Sequence, residues 1–262
     1  MIIHFAAESH VDRSYYNVSD FVQTNIKGTQ SLLELVRKHS IPRFVHISTD
    51  EIYGDIPNGM VDESAPLLPS DPYAASKASA DMLVQSYGKV YDIPFIIIRS
   101  SNNFGPYQYP EKFIPLTITN IIEGKKIPIH GTGEHVRSWL FVEDFCSAVD
   151  TIIHKGKNQN IYNISEDERT NLQVLTLIAE LFNLNIAQFK EHTSDRPAAD
   201  LRYAPDSTKL QNELSWKRNN DFETTIKDVV SWYSNNQDWW RRLKSKNEYL
   251  HHYQKQSKAQ WY

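Results

Sequence analysis

The chain has 262 residues, of which 40% are hydrophobic and 23% charged, and its formal net charge is -4. This balance suits a globular protein of one large domain or two small ones, and it argues against a general basic surface for nucleic acid. No apolar run approaches the roughly 18 residues that a membrane-spanning helix needs. The single cysteine, Cys146, has no partner for an internal disulfide, which favours a reducing, cytoplasmic location.

Strand-like and helix-like segments alternate through the first hundred residues. Short, fully apolar strands are predicted at 2–7, 44–48 and 95–99. Helices are predicted at 19–39, with Ser19 as N-cap, and at 73–91, after the start signal Asp71-Pro72. Apolar strands separated by helices indicate a parallel sheet that is covered on both faces.

After about residue 105, glycine and proline become common and the pattern changes. It predicts helices at 114–123, 142–154, 172–182 and 222–234, and short strands at 126–130 and 161–164. These elements indicate a smaller lobe over the C-terminal edge of the sheet. The polar tail after Trp240 is expected to be loosely docked.

A dinucleotide-binding sheet usually opens with a glycine-rich turn, and the sequence contains none. The only G-x-G is Gly131-Thr132-Gly133, and Val136 stands where a third glycine would fall. We therefore expect an ordinary turn at this position.

Two groups of residues carry the chemistry. Tyr73 and Lys77 are four apart on a predicted helix and share one face, where an ammonium would lower the pKa of a phenol and make it a usable general base. Thr49, Asp50 and Glu51 follow a buried strand. All three can reach one site only if the strand ends there, because alternate side chains of a strand point to opposite faces.

Several stretches together make the chain recognisable over nearly its whole length. They are HFAAESHVDRS (4–14), TNIKGT (24–29), HISTDEIYG (46–54), DPYAASK (71–77), RSSNNFGPYQYPEKFIP (99–115), IPIHGTGEHVRSWLFVEDF (127–145), YNI (162–164) and DRPAADLRYA (195–204). The chain resembles the extended short-chain dehydrogenases/reductases, and within them the nucleotide-sugar 4,6-dehydratases. The adjacent Asp-Glu pair separates these dehydratases from the related sugar epimerases.

The resemblance implies a reaction and a role for each catalytic residue. Tyr73, aided by Lys77, would take the proton of the sugar 4-hydroxyl as hydride passes to NAD, while Thr49 bonds that hydroxyl. Glu51 would remove the C5 proton, and protonated Asp50 would donate to the departing 6-hydroxyl. The hydride would return to C6, which gives a 4-keto-6-deoxy sugar. Two neighbouring carboxyls would then need different protonation states.

The resemblance also implies the binding residues and excludes a metal. The cofactor would contact Ala6, Ala7, Thr24, Tyr73, Lys77 and Asn103. The nucleotide sugar, dTDP- or UDP-glucose, would contact Ser9, Thr49, Asn102, Lys112, Arg137, Asn171, Asp195 and Arg196. Lysine and arginine suit the phosphate oxygens, and arginine can bind them bidentately.

The implied fold is a partial Rossmann-type, doubly wound parallel sheet with a C-terminal substrate lobe. Residues 1–105 would be the remainder of the NAD-binding domain and 106–262 mainly the lobe, with 135–165 returning to the first part. The family's glycine-rich turn and first strands would precede Met1, so we expect Met1 to be an internal methionine or the chain to be a fragment. Family members pair through two helices of each subunit, here 19–39 and 73–91, which predicts a homodimer.

The chain departs from the bacterial dTDP-glucose enzymes at two motifs. Ser138 replaces the aspartate of R-D-W, and Ala198-Ala199 replaces Gly-His in D-R-P-G-H-D. These changes leave the choice between dTDP and UDP open. Two other interpretations also stay open, namely another extended-family sugar enzyme such as an epimerase, and a non-catalytic remnant that binds a nucleotide sugar.

Overall fold

The computed structural model describes residues 1–261. The strands are β1 Ile2–His4, β2 Phe44–Thr49, β3 Phe95–Ser100, β4 Asn102–Phe104, β5 Ile127–His130, β6 Val136–Phe141, β7 Asn160–Ile164, β8 Glu168–Thr170 and β9 Lys190–Thr193. The α-helices are α1 Val11–Ser14, α2 Val18–Phe21, α3 Gly28–His39, α4 Pro72–Tyr91, α5 Phe113–Ile122, α6 Val142–Lys155, α7 Asn171–Leu181, α8 Thr208–Leu214, α9 Phe222–Asn235, α10 Gln237–Lys244 and α11 Asn247–Ser257.

The core of the fold is a parallel sheet in the order β1-β2-β3-β7. Alternate residues of its strands face opposite sides, so each face carries its own apolar cluster. One cluster joins Phe44 and Ile97 to Leu33 of α3 and Val84 of α4. The other joins residues of the same strands to α6 and α8. The predicted parallel sheet with helices on both faces is therefore confirmed.

The two long helices of the first part begin for different reasons. The Asp71 carboxylate accepts a hydrogen bond from the Ala74 N–H at 2.9 Å, and Pro72 occupies the first turn of α4, as the start signal predicts. The expected N-cap Ser19 is wrong, because α2 already begins at Val18 with Asn17 before it. A π-helical stretch, Val22–Lys27, joins α2 to α3 without a break.

The second part is built around its own apolar cluster. This cluster joins α5, α7 and α9, and it includes Ile118, Ile178 and Val229, each 0% exposed. Two small sheets, β4-β6-β8 and β5-β9, lie in this region. The Gly131–Gly133 stretch forms a turn with positive φ at both glycines, as predicted.

The C-terminal tail is not loosely docked, and this prediction is wrong. It folds into α10 and α11, and Trp240, Tyr249, His252 and Trp261 are at most 4% exposed. The reason is that Tyr249, His252 and Gln256 are three and four residues apart, which puts them on the buried face of α11, while Trp240 is buried on α10. Within residues 1–261, no helix is both long enough and apolar enough to cross a membrane.

Candidate active site

The Thr49-Asp50-Glu51 triplet lies where β2 ends, so one end of the sheet presents all three side chains. The chain leaves the strand at Thr49 and turns at once into a 3₁₀ helix, Asp50–Tyr53. The Thr49 hydroxyl accepts the Glu51 N–H at 3.4 Å and lies 3.4 Å from Asp50 Oδ1. The condition set by the sequence, that the strand must end here, is met.

Both carboxyls are buried, and burial is the main influence on their ionisation. Burial raises the pKa of Asp50 to about 7, against the opposing charge of Arg137. Burial, and then repulsion from Asp71 and Asp50, raises the pKa of Glu51 to about 8. The pair therefore holds protons near neutral pH, although the order of the two values does not by itself make Asp50 the acid.

One oxygen of this pair makes no hydrogen bond to the described part of the chain. Asp50 Oδ2 is buried and has no hydrogen-bond partner among residues 1–261. A buried carboxyl oxygen without a partner is costly, and a protonated carboxyl there can donate a hydrogen bond to a bound hydroxyl.

The Tyr73 and Lys77 side chains lie on the buried face of α4, 7% and 4% exposed. The Lys77 ammonium donates to the Ile47 carbonyl of β2 at 2.7 Å, and burial lowers its pKa to about 8. Burial, and then the charge of Glu51, raises the pKa of the Tyr73 phenol. The predicted lowering of this pKa by Lys77 is not found, because the amine is turned toward the strand.

A pocket opens beside these residues between the parallel sheet and the second part of the chain. The predicted residues that line it are Ser9, Glu51, Asn102, Asn103, Lys112, Arg137, Asn171, Asp195 and Arg196. Thr49, Asp50, Tyr73 and Lys77 are buried next to it rather than in its wall. Ala6 and Ala7, which follow β1, and Thr24, in the π-helical stretch, are not among the lining residues that the structure describes.

Three cationic side chains give one region of this pocket a positive character. Lys112 Nζ donates to the Ser9 carbonyl at 2.6 Å. The Arg137 guanidinium donates to the Asp200 carbonyl at 2.9 Å and lies 4.2 Å over the Tyr203 ring. Arg196 pairs through its Nε with the buried Asp12 carboxylate. Such a set suits the oxygens of a diphosphate.

The pocket also contains residues to which the sequence analysis gave no site role. They are His10, Val11, Tyr15, Asp71, Gln108, Glu111, Phe113, Pro128, Ile129, His130, His135, Trp139, Ala198, Ala199, Asp200 and Tyr203. Most of them lie inside the quoted motifs, which was the available signal. Asp71 was taken only as a helix start, yet its carboxyl is buried and raises the pKa of Glu51.

Comparisons with known proteins show the family to which the chain belongs. The family model described as GDP-mannose 4,6 dehydratase matches residues 1–229. The chain is 43% identical over 248 residues to a dTDP-glucose 4,6-dehydratase of Streptomyces niveus, covering 94% of this chain and 74% of that protein. It is 43% identical over 272 residues to the Escherichia coli dTDP-glucose 4,6-dehydratase, covering 92% and 75%.

A solved structure shares both the fold and the sequence. The dTDP-glucose 4,6-dehydratase DesIV from Streptomyces venezuelae, crystallised with NAD and TYD bound, superposes with a TM-score of 0.91 at 40% identity. The match covers 93% of this chain and 76% of that one.

Proposed function

Because the chain belongs to the GDP-mannose 4,6 dehydratase family, we propose that it converts a nucleoside-diphosphate glucose to the 4-keto-6-deoxy sugar with loss of water. The observation that carries the proposal is the buried Thr49-Asp50-Glu51 triplet at the end of β2, beside Tyr73 and a cationic pocket. Relatives that are 43% identical are named dTDP-glucose 4,6-dehydratases, which supports the same reaction class here.

NAD is the proposed cofactor, and it supplies the redox chemistry by accepting hydride from C4 and returning it to C6. The described residues fit its nicotinamide end. Asn103 lines the pocket, and its buried Oδ1 has no hydrogen-bond partner among residues 1–261. The Lys77 ammonium, which donates to the Ile47 carbonyl, could donate a hydrogen bond to a ribose hydroxyl instead. Ala6, Ala7 and Thr24 complete the proposed contacts.

Tyr73 is the proposed base for the 4-hydroxyl, and Thr49 its hydrogen-bonding neighbour. The neighbouring Thr49 hydroxyl lowers the pKa of Tyr73 and so opposes the effect of burial. For this role the phenol would have to be ionised, which the positive nicotinamide ring of bound NAD would favour. A substrate hydroxyl in this position would then bond both oxygens and pass its proton to the phenolate oxygen.

Glu51 and Asp50 are the proposed base and acid of the elimination. Glu51 lines the pocket, whereas Asp50 is buried outside the pocket lining, and its Oδ2 has no hydrogen-bond partner among residues 1–261. This difference in access, rather than the order of the pKa values, supports Glu51 as the group that removes the C5 proton. Protonated Asp50 would then donate to the departing 6-hydroxyl, and water would leave.

The diphosphate is proposed to bind Lys112, Arg137 and Arg196, with Asn102 and Ser9 nearby. All five residues line the pocket. The nucleotide would extend toward Asn171 and Asp195. Because Ala199 stands where the bacterial dTDP enzymes have histidine, both dTDP- and UDP-glucose are proposed substrates to be compared.

A homodimer through the two long helices is a further part of the proposal. Apolar side chains remain exposed on them, among them Leu35 at 46% and Met82 at 55%. Burying these side chains against a second copy would stabilise a dimer. Light scattering after size exclusion should report a dimer, and Leu35→Glu with Met82→Glu should convert it to a monomer.

The domain division at about residue 105 and the cytoplasmic location predicted from Cys146 stay predictions. Expression of 106–262 alone, followed by circular dichroism, tests whether that part folds independently.

Turnover by the Glu51→Gln variant tests the proposed function. We expect the full chain with added NAD to form the 4-keto-6-deoxy product from dTDP- or UDP-glucose. Glu51→Gln should reduce turnover by about 10² to 10⁴-fold, the usual contribution of a general base. Glu143→Gln, on an exposed part of α6, is the matched control and should leave turnover unchanged.

Two outcomes would favour the other interpretations. A chain that inverts C4 of the sugar without loss of water, at a rate that Glu51→Gln leaves unchanged, would indicate an epimerase. A wild-type chain that binds the nucleotide sugar but does not turn it over would indicate a non-catalytic remnant.

A further inference from the structure

The segment from 247 to 261, here called the C-terminal segment, lies beyond residue 229, where the family match ends. It consists of α11 and the residues that follow it, and Tyr249, His252, Gln256 and Trp261 are buried. Three of its residues contact pocket-lining residues or the adjacent Asp12, namely His252, Gln256 and Trp261. The family match therefore gives no account of what this segment does.

The helix that precedes the C-terminal segment holds it firmly in place. The Lys244 ammonium of α10 donates to Thr119 Oγ1 and Asn120 Oδ1, each at 3.1 Å, and to Glu123 Oε2 at 2.7 Å. Trp240 is 0% exposed, and its indole N–H donates to the Tyr233 carbonyl at 2.8 Å. The C-terminal segment thus starts from a fixed point on the second part of the chain.

One contact of the segment reaches the guanidinium of Arg196 through a buried carboxylate. Gln256 Nε2 donates to Asp12 Oδ2 at 2.9 Å. The same carboxylate pairs with Arg196, with Nε 2.7 Å from Oδ1 and Nη2 3.3 Å from Oδ2. Asp12 is 0% exposed and Gln256 only 4%, so this hydrogen bond is shielded from water. Gln256 therefore fixes the carboxylate that orients Arg196.

A second contact holds the residue next to Arg196. The Trp261 indole N–H donates to the Asp195 carbonyl at 3.3 Å. Its ring packs against His130 at 5.2 Å and Tyr15 at 5.8 Å between centroids, and both of these residues line the pocket. The segment thus holds Asp195 directly and Arg196 indirectly.

The same region brings His10, Asp12 and His252 together, with potential ligand atoms within 4.8 Å of one another. The Asp12 oxygens already face the Arg196 guanidinium and the Gln256 amide, and a cation there would be repelled by Arg196. His252 uses Nδ1 for the Tyr16 hydroxyl at 2.8 Å, and its ring meets His10 edge-on at 4.4 Å. These contacts favour a packed polar network that supports Arg196.

We propose that Gln256 and Trp261 are positioning residues that hold Arg196 in place for the diphosphate of the nucleotide sugar. The inference rests on the proposed function, because it assigns Arg196 to the diphosphate. Ordering a long arginine side chain when a ligand binds costs free energy. An arginine that is already held in its binding orientation avoids this cost. Removing either contact should therefore weaken nucleotide binding and leave the chemical step unchanged.

Isothermal titration of the full chain with dTDP and with UDP tests this inference. Gln256→Ala and Trp261→Phe should each weaken binding by about fivefold to tenfold, equivalent to about 1 to 1.4 kcal/mol. Trp261→Phe removes the indole N–H and some ring volume but keeps an aromatic ring for the packing on His130 and Tyr15, so it serves if Gln256→Ala fails to fold. Gln254→Ala, on the exposed side of α11, is the matched control and should bind as the wild type does.

Steady-state kinetics separate positioning from a general loss of structure. We expect KM for the nucleotide sugar to rise in both variants while kcat stays within about twofold of the wild type. Equal affinities for the wild type and both folded variants would overturn the inference and leave the proposed function intact. A wild-type chain that binds neither nucleotide would overturn both.

Discussion

Replacing Asp50 by asparagine should stabilise the folded protein at pH 8 while it abolishes the proposed dehydration. The Asp50 carboxyl is 1% exposed, and its Oδ2 has no hydrogen-bond partner among residues 1–261. Asparagine has nearly the same shape, and its amide oxygen can keep the contact with Thr49. The substitution therefore removes the cost of a buried charge and little else.

The size of the effect follows from the raised pKa. Burial shifts the pKa of Asp50 from 3.8 to about 7, a difference of about 3 units, and each unit corresponds to about 1.4 kcal/mol. Because the folded-state pKa is the higher one, ionisation favours the unfolded chain. The cost is absent below pH 3.8, grows as the pH rises, and is complete above about pH 7.

Urea unfolding of the wild type and of Asp50→Asn at pH 5 and pH 8 measures this cost. The stability advantage of the variant should be larger at pH 8 than at pH 5 by about 3 kcal/mol. This is the part of the ionisation cost that develops over the 2 pH units between pH 5 and the pKa of about 7. Asp62→Asn is the control. Hydrogen bonds from Ser64 lower the pKa of Asp62 below 3.8, so its contribution to stability is lost only below that pH, and the effect of this substitution should be the same at pH 5 and pH 8. An advantage of Asp50→Asn that does not change with pH would refute the reasoning.

Three further predictions concern strain, packing and charge. Ala198 has φ of 51° in the left-handed region, so Ala198→Gly should raise the free energy of unfolding by about 0.5–1 kcal/mol in thermal or urea unfolding, whereas Ala199→Gly should lower it. Trp240→Ala should cost about 3–5 kcal/mol in urea unfolding, since the side chain is 0% exposed and its N–H is bonded, and a cost below 1 kcal/mol would contradict this packing. Asp81→Asn should lower the pKa of Lys77 below about 8 in NMR titration, because the Asp81 charge raises that pKa, and an unchanged value would contradict the coupling.

The sequence predicted most helices because their apolar residues repeat with the helical period, and it predicted the sheet because its strands are short apolar runs. The strands at 44–48 and 95–99 and the helix at 73–91 agree with the structure to within one residue at each end. The π-helical stretch Val22–Lys27 could not be predicted, since its apolar pattern is that of an ordinary helix. The docking of the C-terminal tail depends on contacts of Trp240 and Trp261 with residues far away in the chain.

The site was predictable where local geometry decides it. The end of β2 brings Thr49, Asp50 and Glu51 to one place, as a short strand followed by a turn must. The direction of the Lys77 side chain was not predictable, because helical spacing fixes only the face and not the acceptor. The Ile47 carbonyl that it bonds lies on a different element.

The most direct test of the central claim is deuterium incorporation at C5 of the product, followed by NMR in D₂O. The full chain with NAD and dTDP- or UDP-glucose should give a 4-keto-6-deoxy sugar that carries solvent deuterium at C5, because Glu51 removes that proton and solvent returns it. Glu51→Gln should not incorporate it, whereas the Glu143→Gln control should. A folded, nucleotide-binding wild type that leaves the C5 hydrogen in place would contradict the account.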